Sequence, residues 1–135
     1  MPRILFIDDE DKFRESLARR LKLRGFETVT LNSGADAVKI VRANDDIDVV
    51  ILDRKMPDLS GEEVLKEIKK FRPEIQVIML TGHGTLESAI EGLEAGATDY
   101  LVKPVYIDDL IKKAEEAFEK RLRVEEKIRM ARGNK

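Results

Sequence analysis

Continuous apolar runs of about five residues alternate along this chain with longer segments in which apolar side chains return every three or four positions. Runs of that length bounded by turn residues predict strands buried on both faces, and the spaced segments predict amphipathic helices. The first strand spans Arg3 to Ile7, and the helix after it carries Phe13, Leu17 and Leu21 until Gly25 stops it. A weaker strand, Glu27 to Leu31, is followed by Asn32, Ser33 and Gly34 and a helix with Ala37, Val38 and Val41. The third strand, Asp48 to Leu52, leads into the loop Arg54 to Ser60 and a helix with Val64, Leu65 and Ile68 that ends before Pro73. Gln76 to Leu80 leads through Thr81, Gly82, His83 and Gly84 into a helix with Leu86, Ala89, Ile90 and Leu93, stopped by Gly96. Asp99 to Val102 is the fifth strand. The last helix begins after Pro104 with Ile107, Leu110, Ile111, Ala114 and Phe118 as its apolar stripe.

Five such units predict an α/β fold, a five-stranded parallel sheet in the order 2-1-3-4-5 with helices on both faces. Past Phe118 the apolar positions thin to Leu122, Val124, Ile128 and Met130, but strong helix formers persist without Gly or Pro until Gly133. The last helix is therefore expected to outrun the core, to about Arg129 or beyond. This divides the chain into a globular domain over 1–118 and a basic helical extension or linker over 119–135, a solvated tail being the plainer alternative.

Charge sharpens that division. The whole chain is near neutral, with 25 Lys and Arg against 27 Asp and Glu, which argues against a generic nucleic-acid binder. Residues from Glu119 onward hold seven basic and three acidic side chains, so the part before them is acidic. The absence of cysteine excludes disulfides, thiolate metal sites and thiol nucleophiles. No apolar run approaches the length of a membrane span and no signal-peptide pattern opens the chain, so a cytoplasmic protein without membrane contact is expected.

The chemistry lies at strand ends. Asp8 and Asp9 follow the first apolar run, Asp53 the third, Thr81 the fourth and Lys103 the fifth. In an open parallel sheet the carboxyl ends of the strands share one edge, where ligands bind. Two carboxylates about 4 Å apart repel by about 4 kcal/mol at an effective dielectric of 20, so a fold that brings three together needs a counter-charge. Mg²⁺ suits the need, a hard cation that takes oxygen ligands and binds through one or two carboxylates plus phosphate oxygen. Asp53 is then either a metal ligand alone or also a nucleophile toward a phosphoryl group, with Thr81 and Lys103 of the right type to hold its oxygens. Taken singly each has a plainer explanation: Asp8 and Asp9 with Glu10 and Asp11 as an acidic first turn, Thr81 as a helix cap, Lys103 as an exposed lysine. An X-Pro bond at Lys103-Pro104 is a candidate cis peptide.

The Asp8-Asp9 pair, the Asp53-Arg54-Lys55-Met56-Pro57 turn, Thr81-Gly82, Tyr100 and Lys103-Pro104, in that order after those strands, resemble the receiver domain of two-component response regulators, over about Pro2 to Phe118. The stretch LTGHGTLESAIEGLEAGATDYLVKP is especially similar to receivers of enhancer-dependent transcription activators. The resemblance implies a doubly wound, flavodoxin-like fold in which Asp53 accepts a phosphoryl group from a sensor histidine kinase. It implies that Mg²⁺ is bound by Asp8, Asp9, Asp53 and the backbone carbonyl of Lys55. Thr81 and Lys103 would hold phosphoryl oxygens, assisted by the amides of Arg54 and Gly82. Thr81 and Tyr100 would form a switch that reshapes the surface of helix four, strand five and helix five, a face for a homodimer or an effector. Apart from phosphoryl transfer to its own aspartate and slow self-dephosphorylation, such a domain is no enzyme.

Two other classes fit less well. A haloacid-dehalogenase-type phosphatase also uses a strand-end aspartate, a hydroxyl, a lysine and Mg²⁺, but Phe13 stands where its first motif wants Thr or Val. A flavodoxin-like cofactor carrier cradles phosphate after the first strand, where four acidic residues would here repel it. His83, the single histidine, lies between two glycines and is expected to be solvated rather than a catalytic base. Together with Lys55 it is placed to tune the access of water. The extension is expected to lead to an output domain or to pack against a second copy.

Overall fold

The computed structural model describes residues 2–82 and 86–133. Its strands are β1 (Arg3–Ile7), β2 (Glu27–Leu31), β3 (Val49–Asp53), β4 (Gln76–Thr81) and β5 (Asp99–Val102). They form one parallel sheet in the order β2-β1-β3-β4-β5. The helices between and after them are α1 (Asp11–Leu23), α2 (Gly34–Ala43), α3 (Gly61–Phe71), α4 (Leu86–Glu94) and α5 (Ile107–Gly133). The expected topology is the observed one, with the last helix running on to Gly133.

Alternate side chains along each strand point to opposite faces, and both faces are dry. Leu5, Ile7, Val50, Leu52, Val77 and Met79 pack with α2 and α3 on one side. Ile4, Phe6, Val49, Ile51, Ile78 and Leu80 pack with α1 and α5 on the other. Helix ends follow from local chemistry. The Ser33 hydroxyl accepts from the Asp36 amide at 3.3 Å and the Ser60 hydroxyl from the Glu63 amide at 3.2 Å, capping α2 and α3. Gly25 and Gly96 sit after α1 and α4 at φ of 97° and 109°, a backbone that favours glycine.

Three details depart from the sequence reading. Strand three is shifted by one residue, Val49–Asp53 rather than Asp48 to Leu52. The Arg54 amide donates to the Leu80 carbonyl at 2.8 Å, which prolongs the ladder and draws Asp53 into the strand opposite Leu80. Strand four likewise extends by one residue, so that Thr81 pairs with Val102. The described part of the α4 stripe is not fully buried: Ile90 is 45% and Leu93 50% exposed, and the short helix faces the Tyr100 ring with Gly92. The side chain of Leu86, together with His83 and Gly84, lies outside the described residues.

Helix α5 crosses residues 118 and 119 without a break. Ala117 is buried and Arg121 is only 7% exposed, its Nε 3.0 Å from Asp48 Oδ1 at the start of β3. The other Asp48 oxygen accepts from the Arg3 amide at 2.8 Å. One carboxylate thus ties the start of the sheet to the last helix.

The end of β3 is closed tightly against α3. The Gly61 amide donates to the Arg54 carbonyl at 2.8 Å. A Cβ at Gly61 would lie 2.8 Å from Arg54 Cα and 2.9 Å from the Asp53 carbonyl oxygen. Gly61→Ala is therefore expected to cost about 1–3 kcal/mol by overpacking. Gly82→Ala, with nothing within 4 Å of the added carbon, should stay within about 0.5 kcal/mol of the parent. Urea denaturation of both checks this, and equal midpoints would show that the Asp53 strand end yields freely.

Candidate phosphoacceptor and metal site

The carboxyl ends of β1, β3, β4 and β5 bring Asp9, Asp53, Thr81 and Lys103 to one open cleft of about 290 Å³, which Glu10, Arg54, Lys55 and Gly82 also line, with Asp8 buried beside Asp9 and Asp53. Sheet register does this work. Lys103 N–H donates to the Thr81 carbonyl at 2.7 Å, which sets the two residues side by side on neighbouring strand ends. The Lys103-Pro104 peptide is cis. Asp8, after β1, has its amide bound to Leu31 of β2 at 3.1 Å.

Carboxylate oxygens of Asp8, Asp9 and Asp53 all lie within 4.8 Å of one another. Asp8 is fully buried and Asp53 only 5% exposed. Lys103 Nζ stands 3.1 Å from Asp8 Oδ2, 3.3 Å from Glu10 Oε1 and 3.5 Å from Asp53 Oδ2. Burial pushes the Asp8 carboxyl above its ordinary value, even though the Glu10 amide donates to it at 2.8 Å and Lys103 faces it. Asp53 is pushed up to about 6, first by burial and then by the charge of Asp8, against the opposing pull of Lys103 and the Lys55 amide. Burial acts to lower Lys103, but the charges of Asp53 and Asp8 outweigh it and hold the ammonium above its usual value.

One ammonium stands against three converging carboxylates, and the charge of Asp8 adds to burial in raising Asp53. Three converging carboxylates with unrelieved repulsion and oxygen-only donors fit a hard divalent cation.

The backbone donor expected from Arg54 is not aimed at the cleft. Its N–H is bound to Leu80 in the sheet, and it is the Lys55 amide that reaches Asp53 Oδ1, at 3.4 Å. Tyr100, half-buried, packs against the core on the α2 and α3 side.

Several contributors escaped the sequence reading because they reach the site from other elements. The Phe13 ring lies under Lys103, with Nζ 4.5 Å from its centroid, and is braced edge-on by Phe6. Arg14 donates to the Asp8 carbonyl at 2.7 Å. Asp58, in the loop after Asp53, accepts from the amides of Ala35 and Gly34 and from the Ser33 hydroxyl at 2.9 to 3.1 Å, which pins that loop to the start of α2. Those donors, the Ala35 amide foremost, hold its carboxyl at about 2. Asp58 follows a Met-Pro turn as loop aspartates often do, and only the fold shows what it grips.

Residues 4–115 match the response regulator receiver domain family, and the chain belongs to it. Among curated relatives it is 40% identical to the regulatory protein AtoC of Escherichia coli, over 80% of this chain and 23% of AtoC. It is 37% identical to the response regulator MprA of Mycobacterium leprae, over 81% of this chain and 47% of that protein. The chain therefore spans less than half the length of these relatives. Among solved structures, a receiver domain protein from Clostridium thermocellum is 41% identical with a TM-score of 0.87, covering 92% of this chain and 99% of its own. The beryllofluoride-activated NtrC4 receiver domain dimer is 31% identical with a TM-score of 0.84, covering 90% and 99%. The family is one of signalling modules phosphorylated on aspartate by kinases, not of turnover enzymes, and membership sets aside both the phosphatase and the cofactor-carrier readings.

Folded protein without metal holds a proton on Asp53 to about pH 6, whereas the unfolded chain releases it near 3.8. Its stability is expected to fall as pH rises through that window, by about 1–3 kcal/mol, and to level off above it. Asp53→Asn should remove the Asp53 share of this slope, leaving only that of the buried Asp8, and equal or exceed the parent in stability at pH 7.5. Urea titrations in EDTA at pH 4.5 and 7.5 test this; parallel behaviour of parent and variant would contradict the charge balance described.

Proposed function

We propose that Asp53 is the phosphoacceptor and that Asp8, Asp9, Asp53 and the Lys55 carbonyl hold Mg²⁺. The observation that carries this reading is a buried carboxylate on the last residue of β3 with an ammonium 3.5 Å away and two further carboxylates beside it. An Asp53 oxygen attacks the phosphorus of a sensor kinase phosphohistidine. The new O–P bond forms as the P–N bond breaks, and the imidazole nitrogen keeps the electron pair. Lys103 and Thr81, at the ends of β5 and β4, bind the equatorial oxygens, assisted by the amides of Gly82 and Lys55. Bound Mg²⁺ supplies positive charge that lets three carboxylates and a phosphoryl group share the cleft. Slow hydrolysis of the acyl phosphate by the same groups returns the domain to its starting state.

The remaining assignments rest on this one. Thr81 and Tyr100 act as the switch, and Ile90, Leu93, Val102 and Tyr106, all exposed on α4, β5 and the start of α5, offer an apolar face for a second copy or an effector. Residues 1–118 form the receiver and 119–135 a helical linker toward an output domain or effector, in a cytoplasmic two-component system that regulates transcription without direct nucleic-acid contact by this domain. No helix among the described residues is long and apolar enough to cross a membrane.

Acetyl phosphate with Mg²⁺ is expected to add one phosphoryl group at Asp53, trapped and mapped by mass spectrometry, and none in Asp53→Asn. A label on serine or histidine would overturn the assignment. Saturating Mg²⁺ should raise the stability of the parent, by about 2.7 kcal/mol at ~100 times Kd, and leave Asp9→Ala unmoved. Leu93→Glu should prevent any beryllofluoride-induced doubling of mass in solution while leaving Asp53 labelling intact; doubling that survives it places the contact elsewhere.

A further inference from the structure

The Arg54 side chain follows the acceptor directly and lines the same cleft, yet its charge is committed outward. Its Nε donates to Glu62 Oε1 on α3 at 2.7 Å, and a terminal nitrogen donates to Glu91 Oε2 on α4 at 2.6 Å. Among the described ion pairs, Arg54 to Glu91 is the one that joins α4 to another element. Among its described side chains, little else holds helix α4. Of these, the large apolar Ile90 and Leu93 are exposed, and Gly92 offers the Tyr100 ring only a bare backbone, with room for a Cβ at 3.6 Å.

We propose that Arg54 is a charge-sensitive fastening between the acceptor loop and α4: it holds α4 through Glu91 while Asp53 is unmodified and gives Glu91 up when a phosphoryl group arrives. This rests on Asp53 being the acceptor. A guanidinium has a fixed fork of donors, and carboxylates on different helices already share this one. A phosphoryl group adds charge and strong acceptor oxygens one residue away. Glu62, on the rigid first turn of α3 whose Gly61 is clamped to the Arg54 carbonyl, keeps its place beside the arginine. Glu91, more exposed and on the weakly packed helix, is the partner that can be lost. The outcome is an α4 freed by charge at Asp53, distinct from any movement of Thr81 and Tyr100.

Hydrogen exchange of α4 amides tests this in the intact protein. Glu91→Gln and Arg54→Ala should each speed exchange across α4 by about two- to fivefold, the scale of a half-exposed ion pair, and the double variant no further than either alone. Glu62→Gln should leave α4 at the parent rate. Beryllofluoride with Mg²⁺, which stands in for the phosphoryl group, should bring the parent to the Glu91→Gln rate and add little in that variant. The fastening is overturned if Glu91→Gln leaves α4 unchanged, if Glu62→Gln loosens it equally, or if beryllofluoride acts undiminished in Glu91→Gln. Acetyl phosphate labelling separates this from the reading beneath it. A parent labelled at Asp53 whose α4 exchange ignores residue 91 loses the fastening alone, whereas a parent never labelled at Asp53 loses the acceptor and the release with it.

Discussion

Like charge held at one sheet edge is the constraint from which the functional half of this molecule is built. Asp8 and Asp53 are buried where water cannot screen them, and the single Lys103 ammonium reaches both. Such an arrangement costs stability in the metal-free protein. It persists because the surrounding sheet is apolar on both faces and does not relax to let the carboxylates part. That crowding of like charge is what a divalent cation seated among these carboxylates would relieve.

Precision at that edge comes from backbone bonds that run between elements. Arg54 N–H to Leu80, Gly61 N–H to the Arg54 carbonyl and Lys103 N–H to Thr81 each set one functional residue against a neighbouring strand or helix. Asp58 adds a side-chain anchor from the acceptor loop to the start of α2, which Gly34 permits by leaving room where a Cβ would lie 2.7 Å from Val64. The loop after Asp53 is therefore clamped at both ends, and Lys55 between the clamps presents its amide to the Asp53 carboxylate.

Period and punctuation made the fold legible. Apolar runs bounded by Gly, Pro and Ser locate every strand to within a residue, and the strand-end positions of Asp8, Asp9, Asp53, Thr81 and Lys103 place them at one sheet edge. What stayed hidden is interaction that sequence spacing does not encode. Phe13 under Lys103, Arg14 on the Asp8 carbonyl and Arg121 on Asp48 are pairings across the fold between residues that, read locally, are an apolar helix position and two surface arginines. The strand-end shifts had the same origin, since the ladder of β3 is prolonged by an amide whose acceptor belongs to β4. The same bond removed Arg54 as a phosphoryl-binding amide. The stripe of α4 misled for another reason: periodicity identifies an apolar face, but not whether this chain covers it.

Rigidity is distributed unevenly, and the distribution bears on signalling. β1, β3 and β4 are buried along nearly their whole length, whereas α4 leaves Ile90 and Leu93 to solvent and leans on the sheet through a glycine. Elements that move in a switch come from the weakly held part of a structure, since a helix welded into the core could not respond to one added charge. At the opposite end of the sheet, Arg121 is buried against Asp48, and that carboxylate also receives the Arg3 amide. A buried guanidinium left unpaired would be strongly destabilising. The direction in which α5 leaves the domain is thus set by the sheet itself, and a change at α4 and β5 is made beside a helix whose far end is fixed in orientation.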